Sequence, residues 1–307
     1  MKSLIGILFL AIQSQGAVAV WIDTDPSVKR GGHEVDDGFA LIQAFRSPGL
    51  SIRGVSVVFG NAPLDEAFPI GQRLVRDFGP RGLPVYRGAA AAADRGKETD
   101  ASRALAAALG REELTILALG PVTNIATVLE RHPGLARKIQ KIVAVAGKRP
   151  DQKFFARPGA KPFRDFNFEM DSGAFQVLID SGVPLVLAPW ELSSKVWMRG
   201  EQLAELRAAD KSLAWVLDAA VDWLAFWKKS FGVDGFNPFD TLSVGYSLAP
   251  SEFECENLPI HIEIHSDGNP DLILDRADDA KRSALYCFQP PENFVQRLTI
   301  TLANAVH

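Results

Sequence analysis

The chain contains little cysteine, no run of basic residues and no hydrophobic segment long enough to cross a membrane. Only 2 of its 307 residues are cysteine, so a disulfide framework is excluded, and we expect Cys255 and Cys287 to be separate thiols. The net charge of −4 and the lack of basic clusters give no reason to expect nucleic acid as a partner. Small molecules and metal ions are the more natural partners.

The N-terminus has the pattern of a secretory signal peptide. Lys2 is followed by an apolar run from Leu4 to Ile12 and then by the small residues 17–19, which predicts cleavage after Ala19. The apolar run is too short to remain as a transmembrane anchor. We therefore expect a signal peptide at residues 1–19 and a periplasmic or secreted mature protein, without a membrane anchor, formed by one catalytic domain at residues 20–307.

Strand-like and helix-like segments alternate along the mature chain. Short apolar runs that end in Gly or Pro predict buried parallel strands; they cover residues 20–25, 51–60, 114–120, 141–147 and 183–189. Segments with helical spacing lie between and after them, at 37–44, 64–78, 101–109, 122–131, 172–181 and much of 203–231. The alternation predicts an α/β fold in three α/β/α layers with a mostly parallel central sheet.

Five acidic residues crowd into one short stretch at the start of the mature chain: Asp23, Asp25, Glu34, Asp36 and Asp37. They fall where the first predicted strand ends and the first predicted helix begins. That position is the carboxyl edge of the sheet, where α/β folds bind ligands. Because the like charges repel and carboxylate oxygens are hard ligands, the cluster indicates a Ca²⁺ or Mg²⁺ site.

Further polar residues follow other predicted strands or precede helices. Asn61 follows the strand 51–60, the segment 120–124 follows the strand 114–120, and Asp240 precedes the helical stretch 241–248. Asp165 and Asn167 lie at the end of the irregular stretch 148–166, and an aperiodic stretch of that length is usually functional or mobile. The carboxyl edge of one sheet can bring these groups together.

Taken together, these motifs resemble the inosine-uridine preferring nucleoside hydrolase family. The resemblance extends over nearly the whole mature chain and rests on five separated motifs: Asp23-Thr24-Asp25-Pro26 with Asp36-Asp37, Gly60-Asn61, residues 119–126 (LGPVTNIA), Asp165-Phe166-Asn167 and Asp240. It implies a nucleoside hydrolase-like domain that cleaves the N-glycosidic bond of nucleosides with one bound Ca²⁺.

The resemblance also implies roles for individual residues. The Ca²⁺ ligands would be Asp25, Asp37, Asp240 and the backbone carbonyl of Thr123. Asp25 would also act as the general base toward water. The ribose hydroxyls would be held by Asp36, Asn61, Asp165 and Asn167, and nearby carboxylates would stabilise the positive charge that develops on the sugar.

The chain departs from the family pattern in three places. Nine residues (27–35) separate Pro26 from Asp36, where the family motif has two. Phe239 occupies the position of a histidine that protonates the departing base, and the sugar side has Gly159 in place of Asn and Asp165 in place of Glu. Candidate replacements for the lost acid are His33 in the inserted loop, or Trp223 and Trp227 stacked on a purine.

The leading hypothesis is a Ca²⁺-dependent N-ribosyl hydrolase that releases base and ribose from purine-type nucleosides or related N-ribosides. A homo-oligomer is expected from the resemblance. A second hypothesis is a Ca²⁺-dependent nucleoside- or sugar-binding protein of the same fold with lost or weak catalysis, prompted by Phe239 and Gly159. A third takes Asp23 and Asp25 as the catalytic pair of a dehalogenase-like phosphatase, which leaves the other motifs unexplained.

Overall fold

A nine-stranded sheet runs through the middle of the computed structural model, which describes residues 16–160 and 162–304. Its strand order is β3-β2-β1-β4-β5-β6-β9-β7-β8. The strands from β3 to β9 in this order are parallel to one another, whereas β7 is antiparallel to both β9 and β8. The strands are β1 Val18–Thr24, β2 Leu50–Val57, β3 Val85–Arg87, β4 Leu114–Ala118, β5 Ile139–Ala144, β6 Leu185–Leu187, β7 Glu254–Ile264, β8 Pro270–Leu274 and β9 Ser283–Gln289.

Helices cover both faces of the sheet. They are α1 Asp36–Phe45, α2 Leu64–Phe78, α3 Asp100–Arg111, α4 Thr123–Arg131, α5 Phe166–Met170, α6 Ser172–Ser181, α7 Trp190–Ser193, α8 Gly200–Ala209, α9 Ala214–Phe231, α10 Thr241–Leu248 and α11 Phe294–Ala303. The core on one face includes side chains of α1, α2 and α8 to α11, and the core on the other includes those of α3, α4 and α6. The three-layer α/β/α prediction is confirmed.

The central strand β1 shows why the apolar runs predict buried parallel strands. Val20 and Ile22 pack into one core while Trp21, between them, packs into the other, and all three are almost fully buried. Successive side chains of a strand point to opposite faces, so a strand covered by helices on both faces must be apolar at every position.

The carboxyl ends of the parallel strands lie along one edge and define the position of the site. β1, β2, β4 and β5 are neighbours in the order β2-β1-β4-β5, and β1, β2 and β4 each end at most a few residues before one of the polar motifs. Strands β2, β4, β5 and β6 end earlier than the apolar runs predict, because the terminal Gly and Pro residues leave the sheet as loops, whereas β1 begins two residues before its predicted start. The short edge strand β3 was not predicted from the sequence.

The expectation of two separate thiols is wrong: Cys255 and Cys287 form a disulfide. The antiparallel pairing of β7 with β9 places the two residues directly opposite each other. Sequence reasoning missed this because only the pairing of β7 with β9 brings the two side chains together.

Most of the predicted signal peptide lies outside the described residues, which begin at Gly16. Strand β1 begins at Val18, so the predicted cleavage after Ala19 would leave most of the strand in the mature protein. In the part of the chain that the structure describes, no helix combines the length and apolar character needed to span a bilayer.

Candidate active site

Four buried carboxylates meet at the carboxyl edge of the sheet. Asp25 follows β1, Asp36 and Asp37 open α1, and Asp240 directly precedes α10. Asp25 and Asp37 are 0% exposed and Asp240 is 4% exposed. Burial raises the pKa of each of the four, and repulsion from neighbouring carboxylates raises the pKa of Asp25, Asp36 and Asp240 further. Such a group of like charges is stable when ionised only if a cation compensates it.

The Asp25 carboxylate is held in a cleft that two glycines leave open. Its Oδ2 accepts a hydrogen bond of 2.7 Å from the backbone N–H of Asn61, whereas its buried Oδ1 has no hydrogen-bond partner. A Cβ atom on Gly60 would lie 1.9 Å from Oδ2, and one on Gly120 would lie 2.5 Å from Oδ1. Both glycines of the sequence motifs are therefore required by the close approach of the backbone to Asp25.

Thr123 lies at the start of α4, three residues after Gly120, and is fully buried. Its hydroxyl donates to Asp171 Oδ2 over 2.7 Å, and its carbonyl accepts from the Thr127 hydroxyl over 2.8 Å. Asp171 is also bound by Arg95 at 2.8 Å. These contacts fix the first turn of α4 beside the Asp25 cleft.

A cavity of about 340 Å³ opens above the acidic cluster. Of the predicted site residues, it is lined by Asp36, Asn61, Asp165, Asn167, Trp223, Trp227 and Asp240, while Asp25, Asp37 and Thr123 are buried behind this lining. The remaining lining residues include Glu34 and an aromatic set comprising Phe154, Phe163, Phe166, Trp190, Phe231 and Phe239. The cavity thus combines an acidic end with an aromatic wall.

Asp165 and Asn167 are held by backbone groups of the strand ends. Asp165 Oδ2 accepts from the backbone N–H of Gly147 over 2.8 Å, and Asn167 Nδ2 donates to the carbonyl oxygens of Leu119 and Val145 over 2.7 and 3.2 Å. Burial raises the pKa of Asp165 to about 7. The Asn167 amide is therefore fixed with its nitrogen toward the sheet.

The aromatic wall is built around Trp227, which is almost completely buried. Its ring centre lies 5.6 Å from that of Phe163, 6.1 Å from that of Trp223 and 6.5 Å from that of Phe239. Trp223 is less buried and stacks on Phe226 with the ring planes 3° apart. Trp227 consequently forms the inner part of the wall, and Trp223 forms a more accessible face.

His33 does not line the cavity in this structure. Its ring is close to Lys29 and Glu66. Partial burial is the main cause that lowers the pKa of His33, and the positive charge of Lys29 lowers it further. Gly159, at the position of the missing sugar-side Asn, is exposed and also lies outside the cavity. The structure therefore gathers the other predicted residues but not His33.

Sequence reasoning counted Glu34 in the acidic cluster without assigning it a role, and it missed most of the aromatic wall. Phe154 and Phe163 pair across the irregular stretch 148–166, and Phe154 stacks on Trp190 with ring centres 5.3 Å apart. The only available signal was the length of that aperiodic stretch, which indicated a functional loop without indicating which side chains face the cavity.

Comparison with known proteins decides the family. The sequence model described as inosine-uridine preferring nucleoside hydrolase matches residues 20–287, which is most of the chain. The chain belongs to this family. It is accordingly a nucleoside N-ribosyl hydrolase. Within its acidic cluster, Glu34, Asp36 and Asp37 each offer a carboxylate oxygen within 4.8 Å of the others, and such a group could hold a metal ion.

Individual relatives of this hydrolase carry different base preferences in their names. It is 25% identical to probable uridine nucleosidase 2 of Oryza sativa over 80% of this chain and 78% of that protein. It is 26% identical to the pyrimidine-specific ribonucleoside hydrolase RihA of Citrobacter koseri, over 77% and 81% of the two chains. The solved purine-preferring ribonucleoside hydrolase of Gardnerella vaginalis shares its fold, with a TM-score of 0.80 and 16% identity over 93% of this chain and 98% of that one.

Proposed function

We propose that this hydrolase requires Ca²⁺ and cleaves purine-type nucleosides or related N-ribosides into base and ribose. The observation that carries the proposal is the division of the cavity into an acidic end and an aromatic wall. The acidic end suits a sugar with several hydroxyl groups, and the aromatic wall suits a flat aromatic base.

The acidic end fits a calcium ion. Asp25, Asp37, Asp240 and the Thr123 carbonyl would hold it, and all of these ligands are oxygen atoms, as Ca²⁺ prefers. The unpartnered Oδ1 of Asp25 and the raised pKa values of the three carboxylates support this fit. When bound, the ion supplies positive charge that increases the acidity of water and helps to orient sugar hydroxyls.

Different side chains of the protein then have different roles in hydrolysis. Asp25 accepts a proton from the attacking water as general base, and the Asn61 backbone N–H and the two glycines keep its carboxylate in place. Asp36, Asn61, Asp165 and Asn167 bind the ribose hydroxyls. The carboxylates of Asp36 and Asp165 stabilise the positive charge that develops at the anomeric carbon.

The departing base is bound by the aromatic wall. Trp223 and Trp227 would stack on it, and a purine offers two fused rings to this surface. Among the described residues that line the cavity there is no histidine to donate a proton. Stacking on electron-rich indole rings favours a protonated, positively charged purine, so the base can leave as a neutral molecule after taking its proton from solvent.

The test is a panel of inosine, adenosine, uridine and cytidine incubated with purified protein and Ca²⁺. Free base and ribose should appear, with higher kcat/KM for the purine nucleosides. Higher kcat/KM for uridine and cytidine would contradict the purine preference. Binding of nucleosides without release of any base would contradict the hydrolase and favour the nucleoside-binding alternative.

Replacing Trp223 with alanine should lower kcat/KM for inosine about 10-fold, because loss of one stacking partner costs about 1–3 kcal/mol. Trp223→Phe should retain most of the activity, since it keeps an aromatic face. Trp215→Ala is the matched control: Trp215 lies on the same helix but packs against Phe78 and Arg73, away from the cavity. An unchanged kcat/KM in Trp223→Ala would show that this side chain does not bind the base.

We further propose export to the periplasm or exterior, with removal of residues 1–19. The disulfide between Cys255 and Cys287 supports this location, because disulfides persist in oxidising compartments. Mass spectrometry of the protein from its native source tests the cleavage after Ala19. A homo-oligomer is likewise proposed, and its mass in solution tests that state.

A further inference from the structure

The inserted loop, residues 27–35, is anchored at several points. Arg30 forms two hydrogen bonds of 3.0 and 3.1 Å with the Asp222 carboxylate on α9, and the backbone N–H of Gly31 donates to the same carboxylate over 2.9 Å. On the opposite side Lys29 pairs with Glu66 of α2 at 2.5 Å. The loop therefore bridges α2 and α9 and has a defined position at the edge of the cavity.

The end of this loop brings Glu34 into the cavity. The carbonyl of Glu34 accepts from the Ser27 hydroxyl over 3.1 Å, which closes the base of the loop. One carboxylate oxygen, Oε1, accepts from the backbone N–H of Asp36, and the other, Oε2, accepts from Asn61 Nδ2 over 2.9 Å. Both Glu34 and Asn61 line the cavity.

The amide of Asn61 is thereby held in one orientation. Its NH₂ group donates to Glu34 Oε2 and, over 3.3 Å, to Asp37 Oδ2. A flipped amide would place its oxygen against two carboxylates, which is repulsive, so the nitrogen must face them. The other end of the amide, Oδ1, accepts no hydrogen bond from any residue the structure describes, although Asn61 borders the cavity.

We propose that Glu34 is a positioning residue that fixes the Asn61 amide with its oxygen available to a sugar hydroxyl, so that the enzyme selects ribosides over deoxyribosides. A hydroxyl donates to that oxygen, whereas a deoxy sugar leaves it unpaired at a cost in binding. This role belongs to the insertion of this chain, and it rests on the proposed ribose site.

The experiment compares Glu34→Ala and Glu34→Gln with the wild-type enzyme on inosine, 2′-deoxyinosine and 3′-deoxyinosine. Glu34→Ala should lower kcat/KM for inosine about 10-fold, the effect of losing one hydrogen bond to a charged group. For at least one of the two deoxyinosines, Glu34→Ala should lower kcat/KM much less than it does for inosine. The ratio of kcat/KM for inosine to that for the deoxy substrate therefore decreases. For Glu34→Gln, kcat/KM for inosine should lie between the values of the wild-type enzyme and Glu34→Ala, since its amide oxygen can still accept from Asn61.

A double-mutant cycle separates positioning from a general structural effect. In an Asn61→Ala background, Glu34→Ala should produce no further loss. Glu66→Gln is the matched control: it removes the outer anchor of the same loop and should leave the preference for riboside unchanged. Calorimetric Ca²⁺ affinity should be retained in both Glu34 variants.

Three results would overturn the proposal. They are an unchanged riboside preference in both Glu34 variants, an undiminished effect of Glu34→Ala in the Asn61→Ala background, and a large loss of Ca²⁺ affinity in Glu34→Gln, which would make Glu34 a metal ligand instead. A wild-type enzyme that cleaves none of the panel nucleosides would contradict the proposed function itself, and is therefore a distinguishable failure.

Discussion

Replacing Asp25 with asparagine is expected to lower kcat for nucleoside cleavage by about 10²–10⁴-fold, the usual contribution of a general base. The asparagine keeps the shape of the side chain and can still accept from the backbone N–H of Asn61. It cannot accept a proton from water, and it removes one negative charge from the proposed metal site. The first loss acts on the chemical step, and the second lowers the affinity for Ca²⁺.

The measurement for Asp25→Asn is the rate of base release at saturating substrate and saturating Ca²⁺, with Ca²⁺ affinity determined in parallel by calorimetry. Saturation separates the loss of the base from the loss of a ligand. Asp65→Asn is the control, because Asp65 is an exposed carboxylate that pairs with Arg87 far from the cavity. A kcat within a few-fold of wild type at full Ca²⁺ occupancy would assign the base to another residue.

Removing Ca²⁺ is expected to abolish activity and to destabilise the folded protein more strongly at higher pH. The pKa values of Asp25, Asp36 and Asp240 are raised by burial and by mutual repulsion, and burial raises that of Asp23 to about 7. The metal-free folded protein therefore binds more protons than the unfolded chain at pH values above the ordinary carboxyl pKa of about 4. Its stability falls as pH rises from that value toward and beyond 7.

At the proposed site, bound Ca²⁺ would replace these protons, so its effect on stability has a predictable sign. The rise in Tm on adding Ca²⁺ should be small at pH 5 and clearly larger at pH 8, because at pH 5 the ion competes with protons for the same carboxylates. Differential scanning calorimetry with chelator and with excess Ca²⁺ at both pH values measures this. A Tm rise that is equal at both pH values, or larger at pH 5, would contradict the assignment of Asp25, Asp37 and Asp240 as ligands.

Most of the fold could be predicted from the sequence because its signals are local. The helix predicted at 64–78 coincides with α2 and that at 172–181 with α6. A helix repeats its apolar residues every three to four positions, and a buried parallel strand is a continuous apolar run. Both patterns can therefore be recognised from residues that are close together in the sequence. The short edge strand β3 was missed since its three residues carry no such pattern.

The site could be predicted in part, and for a different reason. Asp25, Asp37, Asn61 and Asp240 were named from motifs at strand ends and helix starts, and parallel strands place those ends on one edge. Glu34 could not be placed this way. Its contact with Asn61 depends on how the loop 27–35 folds back, and the anchor of that loop on Asp222 joins residues almost 200 positions apart.

The sequence by itself determined the layered α/β architecture, the family and the carboxylates at the edge of the sheet, because periodicity and motif spacing act over a few residues. The tertiary structure decided the disulfide between Cys255 and Cys287, the aromatic wall around Trp227 and the contact between Glu34 and Asn61. Each of these depends on strand register or loop packing, which are set only when segments that are distant in the sequence pack against one another.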